Sequence, residues 1–128
     1  MACFDTDFLI DLDRKNREAM SKIEELASHG ELASTTIINV AEYYGGAFQS
    51  GKKKNAVENA RQYLKDFSIL MLDEQSALLW GKLHVELKSN TIGDRDLFIA
   101  AIALSNNETL ITRNAKHYGR VQALTLER

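Results

Sequence analysis

Short apolar runs alternate with helically spaced apolar positions along the first part of this chain. Residues 2–5 are apolar up to a final acid, which predicts a strand that runs into a loop. Apolar residues recur at helical spacing over residues 19–27, and Gly30 follows as the expected end of that helix. Residues 31–35 then predict a second short strand.

The same alternation continues through the middle of the chain. Apolar side chains mark one face of a helix predicted over residues 37–48, and Thr36 is placed to cap its amino end. A second amphipathic helix is predicted over residues 57–67. Residues 68–72 are short and continuously apolar, which is typical of a buried strand.

The last part of the chain predicts two helices and two strands. One helix spans residues 77–87, and the next, over residues 97–104, is apolar nearly all round. A helix with this composition is expected to be deeply packed. Residues 109–112 and 121–126 supply the final two strands.

Strands that alternate with helices predict an α/β fold with a mostly parallel central sheet and helices on both faces. The chain contains no proline, repeat, low-complexity segment or linker, so residues 1–128 are expected to form a single domain. In such sheets, sites form beyond the carboxyl ends of the strands. Asp5 ends the first strand and is expected there.

Composition narrows the function. A net charge of −2 argues against a protein that coats nucleic acid by charge alone, although bound metal ions could still bring phosphate to acidic residues. No run of about 18 apolar residues suggests a membrane span. The amino terminus lacks the basic and apolar regions of a signal peptide, and Cys3 is the single cysteine. We therefore expect a cytoplasmic protein with no membrane partner.

Three acids stand where an apolar element meets solvent, namely Asp5, Glu42 and Asp96. Each has an ordinary explanation. Asp5 could cap a helix, Glu42 could lie on the surface, and Asp96 could be favoured in a first helical turn by the helix dipole. Together they could hold Mg²⁺ or Mn²⁺, which prefer oxygen ligands and can activate water at a phosphodiester. Spacing leaves open whether the three acids converge.

Four segments carry a resemblance to a known family. They are Cys-Phe-Asp-Thr-Asp-Phe-Leu-Ile at residues 3–10, Thr-Thr-Ile-Ile-Asn-Val-Ala-Glu-Tyr-Tyr-Gly at 35–45, Ile-Gly-Asp-Arg-Asp-Leu-Phe-Ile-Ala-Ala-Ile-Ala-Leu at 92–104, and Leu-Ile-Thr-Arg-Asn-Ala-Lys-His-Tyr-Gly-Arg-Val at 110–121. In this order and spacing, the chain resembles a PIN domain, and specifically the VapC-like toxin of a type II toxin–antitoxin (VapBC) system. Asp96, rather than Asp94, matches the aspartate of the third segment.

The resemblance implies a single PIN-like domain that acts as a metal-dependent endoribonuclease. It implies that Asp5, Glu42 and Asp96 are catalytic and hold Mg²⁺ (or Mn²⁺). The residues expected to support these acids or to contact RNA are Thr6, Asp7, Asp94, Thr112, Arg113, Asn114 and His117. Arg95, Lys116 and Arg120 would join Arg113 in holding the RNA backbone. The implied partners are an RNA substrate, a cognate antitoxin and a second copy of the chain in a homodimer.

Two positions depart from the family pattern. Many relatives have asparagine where this chain has Asp7, which could add charge near the metal or only cap a helix. Relatives often have an acid at the position of His117. In this chain, His117 could bind Mn²⁺, contact RNA or lie in an exposed loop. This difference leaves the number of metal ions open.

Two other functions are compatible with parts of the sequence. The segments at residues 5–8 and 93–96 also resemble motifs of haloacid-dehalogenase-like phosphatases, but that resemblance leaves Glu42 and residues 112–114 unexplained. A PIN-like module that binds RNA or protein without cutting is the other alternative, because His117 replaces the fourth acid.

Overall fold

One parallel sheet forms the centre of the molecule, as seen in a computed structural model that describes residues 2–51, 53–89 and 91–127. The strands are β1 (Ala2–Phe4), β2 (Ala33–Thr36), β3 (Ser68–Leu70), β4 (Thr109–Ile111) and β5 (Leu126–Glu127). Their order is β3-β2-β1-β4-β5, and every neighbouring pair is parallel. The prediction of an α/β fold with a mostly parallel sheet is therefore confirmed.

The described residues also form seven helices. They are α1 (Thr6–Asp13), α2 (Arg17–Ser28), α3 (Ile37–Gln49), α4 (Lys53–Leu64), α5 (Glu74–Glu86), α6 (Asp94–Ser105) and α7 (Ala115–Tyr118). None of these helices in the described part of the chain has the length and apolar character that a membrane crossing requires.

The core lies in two layers, one on each face of the sheet. Alternate strand residues point to opposite faces, so Cys3 and Leu110 enter one cluster while Phe4 and Ile111 enter the other. The first cluster is built mainly with α5 and α6, and the second mainly with α1 to α4. Helices therefore cover both faces, as the sequence predicts.

Helix α6 is the most deeply packed helix of the described structure. Its residues from Ile99 to Ala103 are completely buried, which confirms the prediction for this apolar segment. This burial fixes the amino end of α6 against the sheet, so Asp96 in its first turn has a rigid support.

The prediction of a buried strand over residues 68–72 is wrong. β3 is an edge strand, and Ile69, Met71 and Leu72 are exposed. A continuous apolar run resembles a central parallel strand, but the order of strands in the sheet decides which strand lies at the edge.

Several predicted boundaries also shift. The chain enters α1 directly at Thr6 instead of a loop, because Asp5 caps that helix through its carboxylate. The last strand is restricted to Leu126–Glu127, and residues 115–118 form the short helix α7. α4 ends at Leu64, although Phe67 still packs into the core beyond it.

Candidate functional site

The predicted site residues gather at the carboxyl edge of the sheet. Asp5 follows β1, Thr36 ends β2 and Thr112 follows β4. The chain runs outward from β1 to β3 on one side and then returns to β4 on the other side. In open parallel sheets, such a reversal of strand order leaves a crevice that commonly holds the binding site.

Asp5 is held in one orientation by three donors. Its Oδ1 accepts hydrogen bonds from the Thr6 backbone N–H (2.9 Å) and from Asn39 Nδ2 (2.9 Å), and its Oδ2 accepts one from Thr112 Oγ1 (2.7 Å). One donor is the next residue, but the other two come from α3 and from the segment after β4, so tertiary contacts as well as the local helix cap fix the carboxylate. Thr112, a candidate from the sequence, therefore contacts Asp5 directly.

Asn39 is a supporting residue that the sequence analysis missed. It is completely buried, and Thr36 Oγ1 accepts its backbone N–H (3.1 Å) while donating to its Oδ1 (2.7 Å). The Nδ2 group then donates both to Asp5 and to Thr6 Oγ1 (2.8 Å). The sequence feature that could have indicated this role is an asparagine placed three residues after the Thr36 helix cap, on a helix expected to pack against the sheet.

Thr6 connects Asp5 to Glu42. Its hydroxyl accepts from Asn39 and donates to Glu42 Oε1 at 2.9 Å, so the hydroxyl is satisfied in both roles. Glu42 lies on the second turn of α3 and is partly buried. Thr6, a candidate from the sequence, therefore contacts both Glu42 and Asp5, through its hydroxyl and its backbone N–H respectively.

Asp96 lies in the first turn of α6 and is only 8% exposed. Gly93 precedes the helix with a φ of +90°, a conformation that favours glycine, and its carbonyl accepts the backbone N–H of Leu97. Asp96 Oδ1 accepts from Arg95 Nη2 (2.8 Å), Arg95 Nε (3.1 Å) and Tyr118 Oη (3.2 Å). Its Oδ2 lies 2.9 Å from His117 Nε2.

Arg95 connects Glu42 to Asp96. Its Nη1 lies 2.5 Å from Glu42 Oε2, while its other nitrogens bind Asp96. Hydrogen bonds to Asp96 and the charges of Asp96 and Glu42 raise the pKa of the Arg95 guanidinium above its ordinary value. Asp5, Glu42 and Asp96 are therefore connected in one network through Thr6 and Arg95.

The carboxylate oxygens of Asp5, Glu42 and Asp96 suit a hard divalent cation, because such oxygens are the ligands that Mg²⁺ and Mn²⁺ prefer. However, the described residues contain no group of three or more Asp, Glu, His or Cys side chains already spaced to hold a metal ion. The sequence left open whether the three acids converge, and in the structure Thr6 and Arg95 connect them. Neighbouring carboxylates repel each other, and the Arg95 guanidinium lies between Glu42 and Asp96.

His117 is not an exposed loop residue. It lies on α7 with its side chain 25% exposed, and its Nε2 is 2.8 Å from the Ile92 carbonyl oxygen as well as 2.9 Å from Asp96. Nε2 must carry a proton to form the hydrogen bond with the Ile92 carbonyl, because a carbonyl oxygen can only accept. His117 therefore acts as a donor at Asp96, where relatives are expected to have an acid.

Tyr118 is a second donor that the sequence analysis did not single out. Its ring is completely buried beside Asp96. Burial raises the pKa of the Tyr118 hydroxyl, and the charges of Asp5 and Asp96 raise it further. The hydroxyl therefore remains protonated and donates to Asp96 at neutral pH.

Asp7 lies beside the network in an unfavourable setting. Its Oδ2 accepts the backbone N–H of Arg113 (3.3 Å), while its Oδ1 is buried without a hydrogen-bond partner among the described residues. Burial raises the pKa of the Asp7 carboxyl, and the charge of Asp5 adds to this effect.

The side chains of the other supporting candidates have no contact with the three acids among the hydrogen bonds and ion pairs of the described residues. The Arg113 side chain pairs with Asp11, and Asn114 contributes its backbone N–H to Thr112 Oγ1 (3.0 Å). Asp94 is exposed in the first turn of α6, and its backbone carbonyl accepts a long hydrogen bond from Trp80. Thr6, Thr112 and His117 are therefore the predicted supporting residues that directly contact the three acids.

Comparison of the sequence with known proteins gives a consistent result. The family model described as the PIN domain matches residues 2–123. Ribonuclease VapC1 of Methanocaldococcus jannaschii is 35% identical over 96% of this chain and 82% of its own length. Ribonuclease VapC2 of Rickettsia felis is 32% identical over 84% of this chain and 81% of its own length.

Solved structures show the same fold. A chain from VapBC2 of Rickettsia felis, bound to a DNA fragment from the promoter, superposes with a TM-score of 0.89 and is 26% identical, covering 98% of this chain and 96% of that one. A chain from VapBC-1 of nontypeable Haemophilus influenzae gives a TM-score of 0.86 at 32% identity, with coverage of 98% and 96%. The family match at residues 2–123 contains all four motif segments, including residues 112–114, which the phosphatase resemblance leaves unexplained.

Proposed function

The chain belongs to the PIN domain family, and on that basis we propose that it is a metal-dependent endoribonuclease, the toxin of a VapBC-type pair. The observation that carries the proposal is the single network that connects Asp5, Glu42 and Asp96 at the carboxyl edge of the sheet. The relatives named ribonucleases support the choice of RNA as substrate.

We assign Asp5, Glu42 and Asp96 as the residues that would hold Mg²⁺ or Mn²⁺. Such an ion supplies a water of lowered pKa and stabilises charge at the phosphodiester. The chain itself fixes the carboxylates: Asn39 and Thr112 orient Asp5, Thr6 orients Glu42, and Tyr118 and His117 orient Asp96. Orientation by neighbouring donors is a common feature of metal ligands, and its loss commonly weakens metal affinity.

Basic side chains near α7 are suited to hold the RNA backbone. Arg113, Lys116 and Arg120 are exposed, and Arg120 is steadied by a 2.7 Å hydrogen bond to the Thr91 carbonyl oxygen. Contacts of this kind position the backbone but do not select a sequence. They would compensate locally for the net negative charge of the chain.

We further propose a cognate antitoxin as a protein partner and a second copy of this chain in a homodimer. The neighbouring solved structures are VapBC assemblies, which supports the first of these. A groove beside Glu42, between α1, α3 and α4, offers both apolar and charged side chains to such a partner, including Ile10, Arg14 and Tyr43. We place the activity in the cytoplasm, where RNA and a reduced Cys3 are both expected.

A cleavage assay tests the proposal. Purified protein free of antitoxin is incubated with structured RNA and Mg²⁺ or Mn²⁺, in parallel with EDTA and with the Asp5→Asn variant. We expect cleavage that EDTA abolishes and that Asp5→Asn reduces at least about a hundredfold, by analogy with the loss of groups that stabilise charge in a transition state. Asp66→Asn is the matched control, because this exposed acid lies before β3 at the opposite edge of the sheet.

A non-catalytic PIN-like module is the second candidate, favoured by the presence of His117 at Asp96. It predicts RNA or protein binding without cleavage and without metal binding in the same samples. Absence of both cleavage and metal binding would replace the ribonuclease proposal with this one.

A further inference from the structure

Arg95 makes the contact that most directly opposes metal binding in this site. Its guanidinium bridges Glu42 Oε2 at 2.5 Å and Asp96 Oδ1 at 2.8 and 3.1 Å. Its single positive charge therefore offsets part of the negative charge of two of the three acids proposed as metal ligands. A divalent ion shared by Glu42 and Asp96 would occupy the same space and satisfy the same charges.

The acids do not depend on Arg95 alone for their orientation. Thr6 holds the other oxygen of Glu42, Oε1, at 2.9 Å. His117 lies at the other oxygen of Asp96, Oδ2, and the Tyr118 hydroxyl also contacts Asp96. Departure of the guanidinium would leave both carboxylates oriented, with Glu42 Oε2 and Asp96 Oδ1 accessible to another cation.

The Arg95 side chain is also able to leave. It is 61% exposed, whereas the side chain of Asp96 is 11% exposed and remains fixed by α6. Ion pairs with an exposed partner contribute little to stability, because water competes for the charge and the long side chain loses freedom when it is held. The contact is therefore weak enough to exchange.

We propose that Arg95 is a built-in counter-ion that holds Glu42 and Asp96 together and that a divalent cation must displace to enter the site. The inference rests on the proposed metal-dependent function. It adds that the chain competes with its own metal, and that Arg95 can reach an RNA phosphate only after this exchange.

Metal titration tests the competition directly. Mn²⁺ binding is measured by calorimetry for the wild type, Arg95→Gln and Arg61→Gln, and thermal unfolding confirms that each variant is folded. We expect Arg95→Gln to bind Mn²⁺ roughly two- to fivefold more tightly, the range expected when a weak ion pair no longer competes. Arg61→Gln removes the same charge from an exposed guanidinium that pairs with Glu58 on α4, and it should change the affinity less than about twofold.

The outcomes separate the two proposals. Mn²⁺ binding by the wild type with equal or weaker binding by Arg95→Gln overturns the counter-ion role and leaves the metal-dependent function standing. An equal gain in both arginine variants also overturns it, since the effect would then be one of general charge. No binding by any of the proteins overturns the metal-dependent function, and the counter-ion role with it.

A second readout follows Arg95 itself. The Nε–H resonance of Arg95, identified by its loss in Arg95→Gln, reports the hydrogen bond to Asp96 in the nuclear magnetic resonance spectrum. Addition of Mg²⁺ should shift this resonance as the contact is lost, with a midpoint equal to that of metal binding. An unchanged resonance at saturating Mg²⁺ would contradict displacement.

Discussion

Single hydroxyl and amide groups determine how the acids of this site are presented. Thr6, Asn39 and Thr112 between them use their polar atoms on Asp5 and Glu42, so that neither carboxylate rotates without breaking a hydrogen bond. Asn39 is completely buried, and its side-chain amide is satisfied by Thr36, Thr6 and Asp5. Loss of these partners would destabilise the fold, because an unsatisfied buried amide is costly. The stability of the fold and the geometry of the site are therefore coupled at this residue.

Asp7→Asn is expected to stabilise the protein at neutral pH in the presence of EDTA. Because the pKa of the Asp7 carboxyl is raised in the folded state, its ionisation disfavours folding as the pH rises above the ordinary aspartate value of about 4. The gain in melting temperature should be largest at pH 7 and should disappear below about pH 4, where the carboxyl is protonated in both states.

The exposed carboxylate of Asp66 provides the control for this titration. Asp66→Asn should give no comparable gain at pH 7. A gain for Asp7→Asn that is the same at every pH would mean that the amide itself, rather than removal of the charge, causes the stabilisation.

His117→Ala is expected to weaken the support of Asp96. The variant loses the donor at Asp96 Oδ2 and the contact with the Ile92 carbonyl, and should lower the free energy of unfolding by about 1 kcal/mol. Chemical denaturation measures this loss, and Mn²⁺ affinity should fall in the same variant. His117→Gln keeps an N–H donor and should recover part of both; equal losses in the two variants would contradict the donor role.

At the level of elements, the site is assembled where helices begin. α1 starts at Thr6 after the Asp5 cap, α3 starts after the Thr36 cap, and α6 starts after Gly93. Each of these helix starts follows a strand or loop at the carboxyl edge of the sheet, so their first turns face one crevice.

Thr36→Val tests the link between a helix cap and the site. The variant keeps the shape of the side chain but removes the hydroxyl that accepts from the Asn39 backbone and donates to its Oδ1. We expect a loss of about 1–2 kcal/mol in the free energy of unfolding, measured with urea, together with reduced RNA cleavage because Asn39 no longer orients Asp5. Thr125→Val, at an exposed position, should change neither quantity.

The elements differ in how far sequence predicts them. The helix α3, with one apolar face, and the helix α6, which is apolar nearly all round, are where the pattern predicts them, and the Thr36 cap is confirmed. The edge position of β3 was not predictable from its apolar run, because strand order is a property of the whole sheet. The start of α1 at Thr6 was missed because the polar Asp5 suggested a loop.

The site shows the same division between local signal and tertiary contact. The motif segments identified Asp5, Glu42 and Asp96, and the structure brings them into one network. The bridge from Arg95 to Glu42 joins residues 53 positions apart, and the contact from Tyr118 to Asp96 joins residues 22 apart. No periodicity or spacing in the sequence indicates such pairs, so they became visible only in the folded chain.

At the scale of the whole molecule, parallel topology explains how residues far apart in sequence form one site. The chain places β1 at the centre, with β2 and β4 on either side, so Asp5 meets residues from both halves of the chain. The acidic crevice and the basic residues near α7 then lie on the part of the molecule that RNA would approach.

The proposed homodimer is a property of this same scale. Light scattering coupled to gel filtration should give twice the 14.4 kDa mass of one chain for the antitoxin-free protein at micromolar concentration. A mass of one chain across the accessible concentration range would contradict the homodimer while leaving the ribonuclease proposal intact.

Anomalous diffraction from crystals soaked in Mn²⁺ tests the central claim most directly, because it locates the ion relative to Asp5, Glu42 and Asp96. We predict one strong peak contacted by all three carboxylates directly or through water, with the Arg95 guanidinium moved away from Glu42 and Asp96. Glu42→Gln should weaken that peak. A peak bound by other residues, or no peak at a concentration that supports cleavage, would contradict the assignment of these acids as the metal site.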